Sequence, residues 1–234
     1  MKHSMKQIFT TLTSLILSLT VFGQHDFGLK VNGGLSYLST NFQSSFPQAQ
    51  KFYFMPSGHG GLFYNFHLSD NAIIGTELLI AQIEGKEFLS YEVMVQPGLL
   101  SGQFVTSNFW RHISYLGFPI YYGFNFKNLN VNLGFQANLM LASSGHEITQ
   151  GPYNGKTRTW EYKSSKLGID NYDYGARAGI LLYLTKKFSI EANYYYGLNN
   201  ILKDTKASSV WTWKVQQATV GIRYKFKSIG GHLK

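Results

Sequence analysis

The amino-acid sequence predicts an all-β protein, an eight-stranded antiparallel up-and-down transmembrane β-barrel. Three observations support this fold class. Apolar and polar residues alternate with a period of two over segments of about ten residues, the length that a tilted strand needs to cross a bilayer. One face of each segment is uniformly apolar and the other carries charges, as lipid outside and a polar lumen inside require. Long and short connections alternate between the segments.

The pattern is clearest at residues 173–200, where two such segments follow each other. Every even position of residues 174–184 is apolar, whereas Asp173 and Arg177 lie on the opposite face. A short polar turn at residues 185–187 joins the two segments. Because successive side chains of a strand point to opposite faces, this stretch predicts two antiparallel strands.

The composition fits one barrel domain. The chain has 234 residues, of which 44% are hydrophobic and 16% aromatic, enough for a single domain. Its 16 tyrosines and 18 phenylalanines suit aromatic girdles at two membrane interfaces, although a soluble β-sandwich rich in aromatic residues is the alternative. The absence of cysteine excludes disulfides, thiol catalysis and cysteine metal sites. A closed barrel can be stable without disulfides because it leaves no strand edge unpaired.

The first residues predict export. Lys2 and Lys6 precede an apolar run at residues 8–22, and Gly23 offers a small residue for cleavage. As a membrane anchor, the alternative, this run is short and diluted by Thr and Ser. We therefore expect a signal peptide at residues 1–23, a barrel domain at 24–226 and a periplasmic tail at 227–234. Removing Lys2 and Lys6 lowers the formal net charge from +9 to +7.

Eight strands and seven connections follow in order. The predicted strands cover residues 27–37, 61–68, 74–81, 112–126, 131–141, 173–184, 188–198 and 216–226. Tight polar turns are expected at residues 69–71, 127–129 and 185–187. Long connections are expected at residues 39–56, 84–110, 143–171 and 199–215. Bacterial outer-membrane barrels have short periplasmic turns and long extracellular loops, so both termini should lie in the periplasm.

Two features leave room for other arrangements. Pro119 falls inside the fourth strand, and proline in a strand usually marks an edge or a bulge. A soluble lipocalin-like barrel would have the same alternation with the faces inverted, its apolar side chains inside. The uniformity of the apolar face, with Tyr and Phe at strand ends, favours lipid outside.

The polar face predicts a network of charges in the lumen. Its members are Lys30, Glu77, Asp173, Arg177, Glu191, Arg223 and Lys225. Eight strands enclose an interior just wide enough for side chains to fill. Because unpaired charges in such a space are costly, we expect these side chains to form ion pairs that plug the barrel. The alternative is a narrow, ion-selective pathway.

Positive charge gathers in the expected outer loops, at Lys51, Lys86, Lys156, Arg158, Lys163, Lys166, Lys203, Lys206 and Lys214. Basic side chains pair well with phosphate, so Lys156, Arg158, Lys163 and Lys166 are candidates for contact with lipopolysaccharide. A merely solvated loop surface is the alternative. Export argues against nucleic acid as a partner. Trp211 and Trp213, two residues apart, are expected to anchor the outer interface rather than to form a sugar-binding platform.

The sequence offers little support for catalysis or metal binding. His112 and Ser114 have the His-x-Ser spacing of lipid A deacylases, but this resemblance covers three residues, and no carboxylate downstream would orient the histidine. His112 is better explained as an interface residue beside Arg111. His146 and Glu147 would point to opposite faces of a strand, and His59 and His67 have no close carboxylate partner in sequence. We expect no enzyme activity, no metal and no cofactor.

Several short motifs resemble the small outer-membrane β-barrel proteins common in Bacteroidota, the porin family or PorT-like proteins. They are GTELL at residues 75–79 with Gln82 and Gly85, YLGFP at 115–119, residues 134–141, DYG at 173–175 and YGLNNI at 196–201. Together they span most of the mature chain. The resemblance implies an outer-membrane location and a barrel fold. The chain departs from the family at Gly117, where a polar residue is common, and in the tail that follows Phe226.

The residues and the resemblance together predict a non-enzymatic outer-membrane barrel with a plugged lumen and long extracellular loops. The loops would contact lipopolysaccharide, a surface partner or a secretion partner. A narrow small-solute channel is the first alternative, and a soluble lipocalin-like carrier is the second. Other expected partners are outer-membrane lipid and the barrel-assembly machinery, which would read Phe226 as its aromatic signal from inside the chain.

Overall fold

A computed structural model describes residues 24–42, 48–96, 99–153, 156–203 and 211–229. The expected signal peptide, Lys206 and the last five residues of the expected tail lie outside these ranges. Ten strands are present in the described ranges: β1 (Gln24–Phe42), β2 (Gln48–Tyr53), β3 (Met55–Ser69), β4 (Ala72–Gln96), β5 (Leu99–Phe126), β6 (Leu129–Tyr153), β7 (Lys156–Ser164), β8 (Tyr172–Tyr183), β9 (Phe188–Gly197) and β10 (Trp211–Ile229). No helix in the described part of the chain is long and apolar enough to cross a membrane.

Eight of the ten strands join in a ring of antiparallel pairs. The order is β4, β3, β1, β10, β9, β8, β6 and β5, and the pairing of β5 with β4 closes the ring. β2 pairs with the far part of β4, and β7 pairs with the far part of β6. The described ranges therefore contain ten strands rather than the expected eight, two of them added outside the ring.

The expectation of long irregular connections is wrong for most of their length. β4, β5 and β6 are 25, 28 and 25 residues long, so they run well beyond the expected ends of the strands. Together with β2 and β7 they form a sheet that continues past the ring, which we call the extension. The sequence hides these strands because charges such as Glu84, Lys86 and Glu87 fall on both faces and weaken the period-two contrast.

The opposite end of the ring carries the tight turns, and we call it the turn end. Turns at residues 70–71, 127–128 and 185–187 lie there, as the sequence predicts. Both ends of the ring's described chain, at Gln24 and Ile229, lie at the same end. β10 includes residues 227–229, the first three residues of the expected tail, so these belong to the barrel strand.

The burial pattern decides which face is inside. Val31, Leu133 and Val220 are 61–66% exposed, whereas Asn132 and Glu191 are at most 1% exposed. In a lipocalin-like barrel the apolar side chains would be inside and the polar ones outside. The structure has the opposite arrangement, so the soluble alternative assigns the two faces wrongly. The outward apolar side chains form a continuous apolar band, represented by Val31, Ile80, Ile120, Leu133, Ile180 and Val220.

Aromatic side chains line the band at the turn end. Phe27 and Phe226 have ring centroids 5.5 Å apart, and Phe188 lies 5.0 Å from Tyr224. Phe124 and Phe126 add a third pair at 4.7 Å. Aromatic rings at one rim of an apolar band are typical of a membrane-interface girdle.

Pro119 lies within β5 without shifting its register. The β4–β5 pairing continues from Thr76 with Ile120 to Leu79 with Gly117, and only the two intervening pairs are missing. The Thr76 hydroxyl donates a hydrogen bond to the Pro119 carbonyl oxygen at 3.0 Å. The nearby β-bulge lies instead between Ser114 and Tyr115, on the side of β6.

The turn at residues 127–128 predicts a stabilising substitution. Lys127 has φ of 54°, a left-handed conformation that Asn tolerates better than Lys. Replacement Lys127→Asn should therefore stabilise the folded protein by about 0.5–1 kcal/mol, measured by urea unfolding in lipid vesicles. Lys186→Asn is the control, because Lys127 is the one non-glycine residue of the described chain with positive φ. Equal effects of both substitutions would contradict this explanation.

Candidate functional site

Five charged side chains meet inside the ring. Glu77 of β4 lies at the centre, with Lys30 from β1, Arg177 from β8, Glu191 from β9 and Arg223 from β10 around it. All five residues are at most 4% exposed. The strands bring them together because each faces inward at a similar level of the ring; Lys30 and Arg223, for example, are direct cross-strand partners. We call these five residues the lumen network.

Hydrogen bonds join the network closely. Arg177 donates to both carboxylate oxygens of Glu77, with Nη1–Oε2 at 2.9 Å and Nη2–Oε1 at 3.2 Å. Lys30 Nζ lies 3.0 Å from Glu77 Oε2 and 2.5 Å from Glu191 Oε1. Arg223 donates to both Glu77 and Glu191. Three cations therefore share two carboxylates, which leaves one net positive charge in the lumen network.

Uncharged neighbours complete the network. Arg223 Nη1 donates to the Tyr121 hydroxyl at 3.0 Å, and that hydroxyl donates to Asn65 Oδ1 at 2.7 Å. Arg177 Nη2 also donates to Asn193 Oδ1 at 2.7 Å. Tyr121 can lie here because Gly75 is opposite it: a Cβ at that glycine would be 2.1 Å from the tyrosine ring. The sequence analysis missed these residues, although each lies on the inward face of a predicted strand.

Two expected members of the charge network lie elsewhere. Asp173 is buried, but it accepts hydrogen bonds from the Tyr195 hydroxyl at 2.6 Å and from Asn138 Nδ2 at 3.3 Å. No cation of the described chain forms an ion pair with it. Alternation alone could not show this, because Asp173 lies four residues from Arg177, towards the far end of the ring.

Lys225 belongs to a separate group at the turn end. Its Nζ lies 3.1 Å from Asp26 Oδ2, and His67 Nε2 lies 3.1 Å from the same oxygen. His67 has no close carboxylate partner in sequence, but the folded ring gives it one, 41 positions away in the chain. Asp26 was missed because β1 begins at Gln24, before the expected start at residue 27.

An apolar cluster fills the lumen beyond the network. It contains Leu38, Ala81, Ile83, Ile113, Tyr115, Ile169, Tyr195, Ile201, Trp213 and Val215, and we call it the lumen cluster. Ile169 and Ile201 come from the connections before β8 and after β9, and both are fully buried. A backbone bridge between Ile169 and Leu202 holds these two connections together.

Trp213 corrects another expectation. It is 9% exposed and belongs to the lumen cluster, so it does not anchor the outer interface. Its inward position follows from the alternation of β10, in which Val215 and Gln217 are also buried. The side chain of Trp211 lies outside what the structure describes.

The four candidate basic residues lie on or beside β7 in the extension. Lys156, Arg158, Lys163 and Lys166 are all exposed. The Arg158 guanidinium lies 5.0 Å from the Tyr153 ring centroid and 5.8 Å from that of Trp160. Lys163 Nζ lies 2.9 Å from Glu161 Oε1. The structure does not gather these cations into one site; they are spread along nine residues of strand and the turn that follows.

A second set of outward residues lies closer to the apolar band. Lys86 Nζ lies 5.2 Å from the Tyr53 ring centroid and 5.0 Å from that of Trp110, whose ring stacks on His146 at 5.3 Å. Lys163 is the cross-strand partner of His146. We call Tyr53, Lys86, Trp110, His146 and Lys163 the outer belt.

Glu161 connects two members of the outer belt. It lies within hydrogen-bond distance of Lys163 and of His146 Nε2, both at 2.9 Å. Hydrogen bonds from Lys163 and His146 hold the pKa of the exposed Glu161 carboxyl below its usual value.

His112 has a carboxylate partner that the sequence did not reveal. Its Nδ1 lies 3.4 Å from Glu84 Oε1, because the two residues are directly opposite each other in the β4–β5 pairing. Glu84 precedes His112 in the chain by 28 residues, so the sequence downstream of the histidine gives no sign of this partner. Ser114 makes no hydrogen bond to His112 in the described structure. No group of three or more His, Asp or Glu side chains in the described ranges could hold a metal ion.

Comparison with known proteins identifies the family. A family model for the outer membrane protein beta-barrel domain matches residues 19–203. The chain belongs to this family. Its members are outer-membrane proteins, so the predicted location in the outer membrane is confirmed. A comparison with curated protein sequences finds no match.

Solved structures with a similar fold come from several bacteria. Neisserial surface protein A (NspA) is 12% identical, with 86% of this chain and 97% of that chain covered and a TM-score of 0.40. Ail of Yersinia pestis is 13% identical, with coverages of 88% and 100% and a TM-score of 0.37. OprG from Pseudomonas aeruginosa is 12% identical, with coverages of 88% and 98% and a TM-score of 0.35. Similarity at this level says nothing about ligand or function.

The lumen network predicts a large loss of stability on removal of its centre. Glu77→Gln leaves three buried cations with a single carboxylate, which should destabilise the fold by about 3–5 kcal/mol. The measurement is guanidinium unfolding of the refolded protein. Glu161→Gln removes the same charge from an exposed pair and should leave the unfolding midpoint unchanged. If Glu77→Gln and Glu161→Gln unfold at the same guanidinium concentration, the lumen network contributes no stability.

Proposed function

We propose that this protein is a non-enzymatic, integral outer-membrane barrel whose ring crosses the bilayer and whose lumen is closed. The extension acts outside the cell as a contact surface for lipopolysaccharide or for a surface partner. The observation that carries the proposal is the filling of the lumen, where the buried lumen network lies directly beneath the lumen cluster.

The apolar band supports the crossing of the membrane. On β6 the outward apolar residues run from Val131 to Leu141, eleven residues, which is the length that a tilted strand needs to cross a bilayer. Short turns lie on the periplasmic side of bacterial outer-membrane barrels, so the turn end is periplasmic in this proposal. The extension then projects from the cell.

Two layers of side chains support a closed lumen. Ion pairs with Glu77 and Glu191 bridge β4 and β9 to three other strands of the ring, so the lumen network spans it from side to side. Beyond it, Ile113, Ile169 and Ile201 are fully buried and offer a passing ion no polar partner. An ion would have to break the network and then cross an apolar layer, and both steps are costly.

The outer belt supports contact with the phosphates of lipopolysaccharide. Lys86 is the third outward position of β4 beyond Ile80, whose side chain still belongs to the apolar band. Lys163 lies in the same row, whereas Lys156 and Arg158 pair with residues five to seven positions further along β6. At about 3.3 Å per residue, this places them roughly 17–23 Å further along the strands, away from the apolar band. Lys163 is thus better placed for lipid phosphate than Lys156 or Arg158, which suit a partner or distal sugar phosphates.

The belt predicts a position-dependent effect on lipopolysaccharide binding. The double variant Lys86→Gln/Lys163→Gln should weaken binding of purified lipopolysaccharide by about three- to tenfold, since two exposed charge contacts are lost. The measurement is a titration of the detergent-solubilised protein. Lys156→Gln/Arg158→Gln removes the same number of charges farther from the band and should have the smaller effect. Equal losses would indicate attraction by net charge alone, and no loss in either would leave a protein partner as the remaining proposal.

A narrow channel is the second candidate, favoured by buried amide groups in the lumen. Both side-chain polar atoms of Asn32, Oδ1 of Asn132 and Nε2 of Gln217 are buried without a hydrogen-bond partner in the described structure. Buried polar groups of this kind commonly bind internal water. A water-filled segment next to the lumen network is therefore compatible with slow passage of a very small solute.

Planar-bilayer recording distinguishes the two candidates. The closed lumen predicts no conductance steps from wild type that migrates as a folded barrel, identified by a mobility difference between boiled and unboiled samples on SDS gels. Conductance by wild type that Arg177→Ala or Glu191→Ala alters in size or ion selectivity would establish the channel instead.

The proposal also includes a relationship to PorT-like proteins, cleavage of the signal peptide and recognition of Phe226 by the barrel-assembly machinery. The YGLNNI motif at residues 196–201 and the DYG motif at 173–175 support a PorT-like relationship in Bacteroidota. Cleavage after Gly23 would leave Gln24, the first residue of β1, at the start of the mature chain. Phe226 is 43% exposed on the outward face of β10, a position where the barrel-assembly machinery could contact it.

A further inference from the structure

A recess of about 220 Å³ lies on the inward side of the extension, beyond the lumen cluster. Inward residues of β4 to β7 form one wall, including Leu89, Phe109 and Tyr162. Leu167 and Trp213 line it from the connection after β7 and from β10. Tyr162 is 65% exposed, so the rim of the recess is in contact with the surroundings. Trp110 and His146 of the outer belt also border this space, whereas Lys86, Lys163 and the residues of the lumen network do not.

Arg111 is the central polar group of the recess. It is 7% exposed, and its guanidinium lies 4.2 Å from the Trp213 ring centroid and 5.2 Å from that of Phe109. Arg111 Nη2 lies 2.8 Å from Glu87 Oε2. Gly85 and Gly145 flank it on the neighbouring strands, and a Cβ at Gly145 would lie 2.7 Å from Leu167. The glycine at position 145 therefore lets Leu167 approach the wall.

Two hydrogen-bond donors of the recess residues are unsatisfied. In the described structure, neither Trp213 Nε1 nor Arg111 Nη1 has a hydrogen-bond partner, and both atoms are buried. Trp213 is 9% exposed, and Nε1 is its single polar side-chain atom. Buried donors are nearly always paired in folded proteins, so two unpaired donors on neighbouring residues of the lining indicate that an acceptor is missing beside them.

The surroundings restrict the chemistry of that acceptor. The walls are apolar and aromatic, as expected of a site for a small organic molecule. The charge of Arg111 is already matched by Glu87, and Glu147 adds a second carboxylate to the lining. A ligand carboxylate would therefore meet a carboxylate excess, whereas a neutral carbonyl oxygen accepts hydrogen bonds without that repulsion.

The inner end of the recess is closed. Trp213 is itself a member of the lumen cluster, and Leu167 packs against it. A molecule that enters the recess therefore reaches the lumen cluster and stops there. This arrangement suits binding rather than passage.

We propose that the recess between Arg111, Phe109, Leu167 and Trp213 binds a small, neutral, largely apolar molecule that carries a carbonyl-type hydrogen-bond acceptor. The apolar walls hold the body of the molecule, and Trp213 Nε1 and Arg111 Nη1 donate to its acceptor oxygen. The site does not use Lys86 or Lys163, the outer-belt cations proposed to contact lipopolysaccharide.

Matched probes test the proposal by calorimetric titration of the intact protein in detergent micelles, with protein-free micelles subtracted. The probes are 2-acetylnaphthalene, which has a neutral acceptor, 2-isopropylnaphthalene, which has the same shape and none, and 2-naphthoate. Wild type should bind 2-acetylnaphthalene saturably and about three- to tenfold more tightly than 2-isopropylnaphthalene, the value of one or two hydrogen bonds.

Trp213→Phe keeps an aromatic ring and removes the Nε1 donor. It should therefore reduce the difference in affinity between 2-acetylnaphthalene and 2-isopropylnaphthalene, while 2-isopropylnaphthalene still binds within about twofold of its affinity for wild type. Trp160→Phe is the control, since Trp160 lies on β7 outside the recess and should change neither affinity. Three results would overturn the proposal: no saturable binding by wild type, a preference for 2-acetylnaphthalene that Trp213→Phe leaves unchanged, or tighter binding of 2-naphthoate. Equal weakening of both neutral probes by Trp213→Phe, as on collapse of the recess, leaves the ratio of their affinities unchanged and so belongs to the second of these results.

Discussion

The ion pairs of Glu77 are the constraint on which the rest of the structure depends. An eight-strand ring that presents apolar side chains outward must fill its interior with the polar ones. Buried charges are tolerated only when they are paired, and Glu77 pairs with Lys30, Arg177 and Arg223 from three other strands. These contacts link residues 47, 100 and 146 positions apart in the chain. The network therefore ties the closure of the ring to a specific register of strands.

The two halves of the lumen follow different physical rules. Charges dominate where Glu77 and Glu191 lie, and apolar side chains dominate nearer the extension. Ile169 and Ile201 reach the second half from connections outside the strands, which fold inward because the ring leaves space there. This inward fold turns part of the connecting sequence into core, and it gives the recess beside Trp213 its closed inner end. The lumen is thus filled by the chain itself, and the functional surfaces lie in the extension.

Because of the extension, the positively charged side chains lie at different distances from the apolar band. Continued pairing of β4, β5 and β6 carries Lys156 and Arg158 away from the apolar band, while Lys86 and Lys163 stay closer to it. In a flexible loop these side chains would move over a range of distances from the apolar band. The hydrogen-bonded sheet instead holds each row of cross-strand partners at a fixed distance from it. The same rigidity holds Phe109 and Arg111 on the inward side, opposite Trp213.

The sequence by itself determined the strand-only architecture, the tight turns and the residues that share a face, because period-two alternation is a local property that Asp173 to Leu184 displays without reference to partners. Only the burial pattern of the folded ring decided which of the two faces is inside. The same alternation placed Lys30, Glu77, Arg177, Glu191 and Arg223 on one face. Only the tertiary structure decided which of them meet, why Asp173 pairs with Tyr195 instead, and that Glu84 accompanies His112. It also decided that expected loops are strands, that Ile169 and Ile201 are core, and that Trp213 lines a recess. The reason is physical: which face a residue occupies depends on its neighbours in the chain, but which side chains touch depends on register and ring closure, and these are set by pairing between strands far apart in sequence.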